Sequence, residues 1–371
     1  MSAELEVDLT SPKRLMIMAA GTGGHVFPGL AIAKTMQERG WIVTWLGTEH
    51  GMEGEIVAQH QIPMDVLDFA GMRGKGLLHS VRGLFKLAES FKRSREFLKQ
   101  RQPDLVLGMG GYVTVPGGVM ARLLKIPLVL INADAALLLS NHFLTRFADR
   151  VLFGFPANFG VATAKAQVTG NPVREEITRL PHPGQRFAGR SGPMKILVVG
   201  GSLGASILND IVPTALAALP KEIRPIVTHQ SGKQHIATLQ AKYKKLGYKA
   251  EVVAFIDDIA SRYAEADLVI CRAGAITVSE LTAAGVASIL VPFISSSTTH
   301  QLDNANFMAK HKAAIHFPQK DLTVAKLAQK IGAMDRADCL KLADEAYMLG
   351  QRRANAVIAD VLEQMTKRSP S

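Results

Sequence analysis

Leu15-Met16-Ile17-Met18-Ala19-Ala20 runs apolar without a break and then stops at Gly21-Thr22-Gly23-Gly24-His25. The same design returns at Ile196-Leu197-Val198-Val199, followed by Gly200-Gly201-Ser202-Leu203-Gly204. A short run that is apolar along its whole length reads as a strand buried on both faces, the signature of a parallel sheet covered by helices. Outward from these two stretches, further runs of the same kind lie at Ile42–Leu46, Leu105–Leu107, Leu128–Ile131 and Val151–Phe153, then at Pro225–Thr228, Val252–Phe255, Leu268–Ile270 and Ser288–Val291. Helix-length segments separate them. The pattern predicts an α/β chain with two doubly wound parallel-sheet domains, each with a ligand edge at the carboxyl ends of its strands.

The break between the domains is expected near Gly170–Gly192, where Asn171-Pro172, Pro181, Pro183, Gly184 and Ser191-Gly192-Pro193 supply turn chemistry. Residues 1–12 are expected to be disordered, 13–170 to form the first domain and 171–345 the second. Residues 346–371 are expected to form a C-terminal helix that returns to the first domain. A length of 371 residues suits two domains of roughly 150 residues each.

Composition narrows the function. With 47% hydrophobic and 20% charged residues the chain can bury substantial cores. Lys and Arg number 43 against 32 Asp and Glu, and the net charge of +11 favours anionic partners such as nucleotides, nucleic acid or an acidic membrane surface. Two cysteines, Cys271 and Cys339, exclude a disulfide scaffold and a cysteine-based zinc site, and fit a reducing compartment. Glu4, Glu6 and Asp8 have the wrong sign for a signal-peptide start. No stretch reaches about 18 uninterrupted apolar residues, since Asn132 and Asp134 interrupt the run Leu128–Leu139. If the chain meets a membrane, it is expected to lie on the surface.

Gly21-Thr22-Gly23-Gly24-His25 after the first strand, Gly108-Met109-Gly110-Gly111-Tyr112 after a later one, and Gly200–Gly204 are three loops at strand ends. Each is either a tight βα turn or a place where backbone N–H groups meet an anion at a helix N-terminus. Together they suggest a cleft that holds phosphates from both sides. The first is not a dinucleotide fingerprint, because no G-x-G-x-x-G is completed and no acidic residue ends the next strand. Arg174, just past the domain break, is either a cation for that cleft or a surface arginine.

Cys271-Arg272-Ala273-Gly274-Ala275-Ile276-Thr277-Val278-Ser279-Glu280 reads as strand end, small-residue turn and helix start, with Glu280 in the first turn. A carboxylate there either accepts the two hydroxyls of a ribose or offsets the helix dipole. Ser295–Gln301 is a polar loop suited to sugar hydroxyls or to helix capping. His25 is a candidate for proton transfer, with a capping or core histidine as the alternative. No His-Glu-x-x-His or carboxylate cluster points to a metal, so a diphosphate leaving group would be held by helix dipoles, Ser202 and Arg174.

Between Arg73 and Arg101 nine Lys or Arg stand against Glu89 and Glu96, a net +7. Leu77, Val81, Leu84, Ala88 and Phe91 recur at helical spacing and are expected to face the core. Leu78 and Phe85 sit beside that stripe among Lys75, Arg82 and Lys86. That arrangement suits either an anionic bilayer or an ordinary solvated face. Few aromatics interleave with the charge, which disfavours nucleic acid.

Ala20-Gly21-Thr22-Gly23-Gly24-His25-Val26-Phe27-Pro28, Arg73-Gly74-Lys75-Gly76, Gly108–Tyr112, Thr169-Gly170-Asn171-Pro172-Val173-Arg174 and Gly200-Gly201-Ser202 occur in this order. Phe255-Ile256-Asp257-Asp258, Cys271–Ala275, Thr277–Glu280 and His300-Gln301 continue the series. Over about residues 13–365 the chain resembles the MurG family of peptidoglycan N-acetylglucosaminyltransferases. The resemblance implies a GT-B fold, in which two Rossmann-like domains face a central cleft. It implies inverting transfer of N-acetylglucosamine from UDP-N-acetylglucosamine to the muramyl 4-hydroxyl of lipid I, giving lipid II, with no tightly bound cofactor and no structural metal. Donor contacts would come from Thr22, Gly23, Gly24, Asp134, Arg174, Ser202, Ile256, Ala275, Ile276, Thr277, Glu280 and Gln301. The acceptor diphosphate would meet Gly23, Gly24, Gly110, Gly111 and Tyr112. His25 is the candidate base, with Asp134 as a second catalytic candidate, and Leu77, Leu78, Phe85, Lys75, Arg82 and Lys86 would meet the membrane.

The implied location is peripheral, at the cytoplasmic face of the bacterial cell membrane, with other cell-wall synthesis and division proteins as further partners. Where the family shows His-Glu-Gln-Asn this chain has Ile131-Asn132-Ala133-Asp134, so Asn132 or Asp134 would substitute there. The usual Asp-Asp-His-Gln reads Thr298-Thr299-His300-Gln301, and the usual Gln of the third loop is Leu203. The alternatives are another UDP-sugar transferase of this fold acting on a different glycolipid, and a non-catalytic nucleotide-binding membrane adaptor.

Overall fold

The computed structural model describes residues 11–21, 23–48, 51, 53–68, 77–137, 139–156, 160–201, 204–294 and 300–367, with backbone alone for 77–84 and 367. Expectations for residues 1–10, Thr22, 73–76, Ser202, Leu203 and the loop 295–299, and for the side chains of Leu77, Leu78, Val81, Arg82 and Leu84, lie outside the described residues.

The first sheet has seven strands, β1 (Arg14–Ala19), β2 (Ile42–Thr48), β3 (Met64–Leu67), β4 (Leu105–Gly110), β5 (Leu128–Asn132), β6 (Arg150–Phe153) and β7 (Ala166–Val168). Their order is β3-β2-β1-β4-β5-β6-β7, parallel throughout. The second has six, β8 (Lys195–Val199), β9 (Ile226–Gln230), β10 (Ala250–Val253), β11 (Leu268–Cys271), β12 (Ser288–Leu290) and β13 (Ile315–His316), in the parallel order β10-β9-β8-β11-β12-β13. Chain direction across each sheet reverses between β1 and β4, and between β8 and β11. Those two switch points are where the strand-end crevices open, and the glycine loops follow β1, β4 and β8.

Strand pleat explains the unbroken apolar runs. Leu15, Ile17 and Ala19 enter one core and Met16, Met18 and Ala20 the core on the opposite face. Leu197 and Ile196 divide between two cores in the second sheet in the same way. The strands absent from the sequence reading are β3, β7 and β13, all at or next to a sheet edge. They are two to four residues long and carry polar or exposed positions such as Asp65, Gln167 and His316. Val252–Phe255 is corrected to Ala250–Val253, because pairing with β9 sets the register.

The basic helix runs Leu77–Arg101; of its expected inward stripe, the side chains of Leu77, Val81 and Leu84 lie outside the described residues and Phe91 is half-buried. Ala88 is exposed, and Leu87, Ser90, Ser94, Phe97 and Leu98 turn inward. Two serines occupy core positions because they are small, and Ser90 returns its hydroxyl proton to the Lys86 carbonyl at 2.7 Å.

The chain passes between the sheets twice, after β7 and again near Gly350. The helix Ala354–Lys367 lies on the first domain, where Ile358, Ala359 and Leu362 complete the core beneath the helix Gly23–Glu38. Arg39 binds Asp360 at 2.8 Å and Glu363 at 3.2 Å across that seam.

Candidate active site

The first two glycine loops interlock. Gly110 and Gly111 have φ of +110° and +91°, open to glycine at little cost. A Cβ on Gly111 would stand 2.5 Å from the Ala20 carbonyl oxygen, and one on Gly110 would stand 2.8 Å from His25 Nε2. Both positions therefore exclude a side chain, and the His25 ring lies directly on Gly110. His25 Nδ1 is 3.2 Å from the Ala20 carbonyl. A carbonyl only accepts, so Nδ1 carries the proton and neutral His25 keeps its lone pair on Nε2. Burial pushes the His25 pKa below its usual 6.5, against the Ala20 carbonyl and the Asp134 and Glu53 carboxylates, which pull it up. The imidazole is thus neutral at pH 7, the state a base requires. A cavity of about 430 Å³ opens beside it, with Gly21, Gly111, Tyr112, Pro116 and Ser140 in its walls.

Glu53 supports this arrangement from below. It is fully buried, and its carboxylate accepts from Thr48 N at 3.0 Å, Thr48 Oγ1 at 2.6 Å and Gly21 N at 3.2 Å. A carboxylate buried with three donors orients the loop. Sequence reasoning passed it over because Gly51-Met52-Glu53-Gly54 reads as an ordinary helix start.

Glu280 does not lie in a first helical turn. The helix Ala275–Ala284 has Gly274 as its N-cap, which makes Glu280 the sixth residue. Its side chain is buried and pairs with Arg174, whose Nη2 and Nε donate to Glu280 Oε1 at 2.7 and 3.1 Å. Neither a solvated dipole offset nor a free surface arginine describes these residues. Burial raises the Glu280 pKa, and the Arg174 charge opposes that rise. Among the described residues Arg174 Nη1 has no protein partner, and Glu280 Oε2 has only the Tyr263 hydroxyl at 3.5 Å. The pair thus presents one N–H face and one acceptor oxygen. The Arg174 guanidinium also stands 5.6 Å from the Phe27 ring of the first domain.

Ile256 and Ala275 are buried in the same core as Tyr263, with Ile276 packed against it. Thr277 is half-buried on the next helical position. Gln301 accepts from Phe293 N through Oε1 at 2.9 Å, which leaves its NH₂ group for another partner. Gly23 and Gly24 open the helix Gly23–Glu38 beside His25.

Asn132 and Asp134 part company. Asn132 is buried, and its Nδ2 donates to the Asp134 and Ala136 carbonyls at 2.9 and 3.0 Å, holding the turn. Half-buried Asp134 accepts from Asn304 Nδ2 at 3.0 Å, and Asn304 Oδ1 accepts from Ala135 N at 2.9 Å. Asn304 Nδ2 also donates to the Ala273 carbonyl at 3.0 Å. One buried amide therefore ties the end of β5 in the first domain to the end of β11 in the second.

Residues 15–153 match the glycosyltransferase family 28 N-terminal domain, and residues 195–360 match the family 28 C-terminal domain. The chain belongs to glycosyltransferase family 28. Its similarity to named transferases runs nearly end to end. It is 63% identical over 355 residues to a UDP-N-acetylglucosamine–N-acetylmuramyl-(pentapeptide) pyrophosphoryl-undecaprenol N-acetylglucosamine transferase of Janthinobacterium sp. (strain Marseille), covering 96% of this chain and 99% of that one. A transferase of the same name from Herminiimonas arsenicoxydans shows the same identity and coverage. The crystal structure of Acinetobacter baumannii MurG is 37% identical, with a TM-score of 0.81, and covers 95% of this chain and all of that one. The two parallel sheets facing one cleft are the GT-B fold, as the MurG resemblance implied. Among the described residues no group of three or more His, Cys, Asp or Glu is placed to hold a metal.

Proposed function

We propose that this family 28 enzyme transfers N-acetylglucosamine from UDP-N-acetylglucosamine to the N-acetylmuramyl 4-hydroxyl of lipid I, forming the β-linked product lipid II. The near full-length similarity to transferases of that name carries the substrate assignment, and the geometry supports the roles given to single residues.

In this reading the second domain holds the donor. Glu280 Oε2 accepts the ribose hydroxyls and Arg174 Nη1 donates to the diphosphate, so neither has to leave its partner when donor enters. Ser202 completes the phosphate site, backbone near Ile256 meets the uracil, and Ala275, Ile276, Thr277, Gln301 and Asp134 surround the sugar. Thr22, Gly23 and Gly24 close on it from the first domain. The acceptor diphosphate meets N–H groups of Gly23, Gly24, Gly110 and Gly111 with Tyr112 at the rim, its muramyl group in the cavity beside His25. His25 Nε2 takes the proton as the 4-hydroxyl oxygen bonds to the anomeric carbon and the bond to the UDP oxygen breaks. The attack is in line, with inversion. Arg174 and the helix N-termini steady the charge on the departing diphosphate.

Membrane association at the basic helix belongs to the same proposal. Phe85 is 74% exposed at the head of the described side chains, though Lys86 beside it shares its charge with Asp68 at 3.3 Å. No helix among the described residues is long and apolar enough to cross a membrane. The test is transfer from labelled UDP-N-acetylglucosamine to a lipid I analogue in the presence of EDTA. One added β-linked sugar supports the whole reading. Donor binding without transfer would move the acceptor elsewhere and make Asp134 the place to look.

A further inference from the structure

The chemistry at His25 leaves one buried charge without a use. Glu53 opens the helix Glu53–Gln59, and its side chain is fully buried. Its three partners are Thr48 N, Thr48 Oγ1 and Gly21 N, so among the described residues it meets donors but no cation. A carboxylate taken out of water without a counter-charge is costly, and yet the chain keeps room for this one. A Cβ at Gly51 would collide with the carboxylate, and one at Gly47 would stand 3.0 Å from Glu53 Cγ.

The contact to Gly21 decides what the charge is for. Gly21 N and the Ala20 carbonyl belong to one peptide unit, planar and conjugated. Glu53 Oε2 accepts from the N–H end at 3.2 Å, and the carbonyl end accepts from His25 Nδ1 at 3.2 Å. Carboxylate, peptide and imidazole thus form one chain of hydrogen bonds, in which each bond polarises the next. The peptide is held on both sides. Trp45 Nε1 donates to the preceding carbonyl, that of Ala19, at 2.9 Å, and Gly111 packs on the Ala20 oxygen so closely that a Cβ would stand 2.5 Å away. Burial lowers the His25 pKa most strongly, while the Ala20 carbonyl, Asp134 and Glu53 pull it up. Tyr112 is a further titratable group beside the ring, in the wall of the cavity.

We propose that Glu53 is a positioning residue of the transfer reaction, a role that rests on His25 being the base. Through the Ala20–Gly21 peptide it holds His25 with the proton on Nδ1, and it supplies the negative charge that the imidazolium faces. Glu53 itself takes no proton. As the 4-hydroxyl oxygen bonds to the anomeric carbon, its proton goes to Nε2 and Nδ1 keeps its own. The positive ring then faces the Ala20 oxygen with Glu53 behind it. The counter-charge that Glu53 lacks in the resting protein appears only during transfer, so its attraction lowers the barrier without tightening the ground state. A buried carboxylate behind a histidine base fixes the tautomer and stabilises the imidazolium; here one peptide unit stands between the two.

The experiment measures transfer to a lipid I analogue against pH for the full chain, Glu53→Gln, His25→Ala and the double variant, with UDP affinity read by calorimetry. Glu53→Gln should lower kcat about 5- to 50-fold and move the acid limb of kcat/KM to lower pH, because the imidazolium loses an anion. In the His25→Ala background the same change should cost less than about twofold, since the two residues act as a unit, and UDP affinity should stay within about threefold. An acid limb that does not move, a full loss in the His25→Ala background, or a fall in UDP affinity matching the fall in kcat overturns the role. Wild-type turnover in His25→Ala would instead remove the base, and the relay with it. Thr48→Val covers the case in which Glu53→Gln fails to fold. It keeps the charge and removes the hydroxyl from Oε1, so the acid limb should move to higher pH; an unmoved or lowered limb overturns the role as well.

Discussion

At the scale of single residues, His25 and Glu280 owe their chemistry to neighbours. The Ala20 carbonyl assigns the His25 proton to Nδ1, so Nε2 is the basic atom. His25→Ala should lower kcat by about 10²–10⁴-fold while donor affinity, read by calorimetry, stays unchanged. The pH profile carries the sign. Burial holds the His25 pKa below 6.5, the active form is neutral, and activity is lost as pH falls through that lowered value. The acid limb of kcat/KM should therefore lie below 6.5 and should vanish in His25→Ala. Glu280→Gln keeps a similar shape but removes the charge facing Arg174 and the ribose. A hydrogen bond to a charged group is worth about 1.5–3 kcal/mol, so UDP affinity should fall about 10- to 150-fold with secondary structure intact by circular dichroism. Unchanged affinity would remove Glu280 from the donor site.

At the scale of elements, the interlocked loops after β1 and β4 form one unit. Gly111→Ala places a methyl group against the Ala20 carbonyl at a φ that alanine avoids. The cost is about 1–3 kcal/mol, and the variant should melt several degrees lower and lose transfer together. An unaltered melting temperature would mean that the loops are not held as described. The loops were visible in the sequence because glycine marks positions that forbid a side chain. What the glycine pairs with was not, since the Ala20–Gly111 contact joins residues 91 positions apart. Glu53 and Asn304 escaped for a related reason. Their role lies in which backbone groups surround them, and neither spacing nor residue type encodes that. The long central strands could be read from apolar runs alone, whereas the short edge strands β3, β7 and β13 take their conformation from the partner strand. Ala88 was expected to face inward and is exposed, while Ser90 and Ser94 are buried, because a stripe carried partly by serine has almost no hydropathy signal.

At the scale of the whole molecule, buried amides join the two domains beside an apolar core in which Ala133 and Phe155 of the first domain meet residues of the second. Asn304→Ala would leave Ala135 N and the Ala273 carbonyl without their side-chain partner. Lower thermal stability, by about 1–3 kcal/mol, and a raised KM for donor are expected; unchanged values of both would deny Asn304 its bridging role. The membrane face is tested separately. Leu78→Ser with Phe85→Ser should weaken binding to vesicles rich in anionic lipid in a flotation assay, with no change in UDP affinity, because neither residue is among those assigned to the donor. Retained vesicle binding would place the contact on another surface.

The return of the helix Ala354–Lys367 to the first sheet has a consequence for synthesis on the ribosome. Domains commonly fold in the order in which they are made, yet here the domain translated first lacks Ile358, Ala359 and Leu362 until nearly the whole chain has been produced. The second sheet can close before the first is sealed. A nascent chain interrupted between the two sheets would carry an apolar trough along the helix Gly23–Glu38, the kind of surface that chaperones hold and proteases cut.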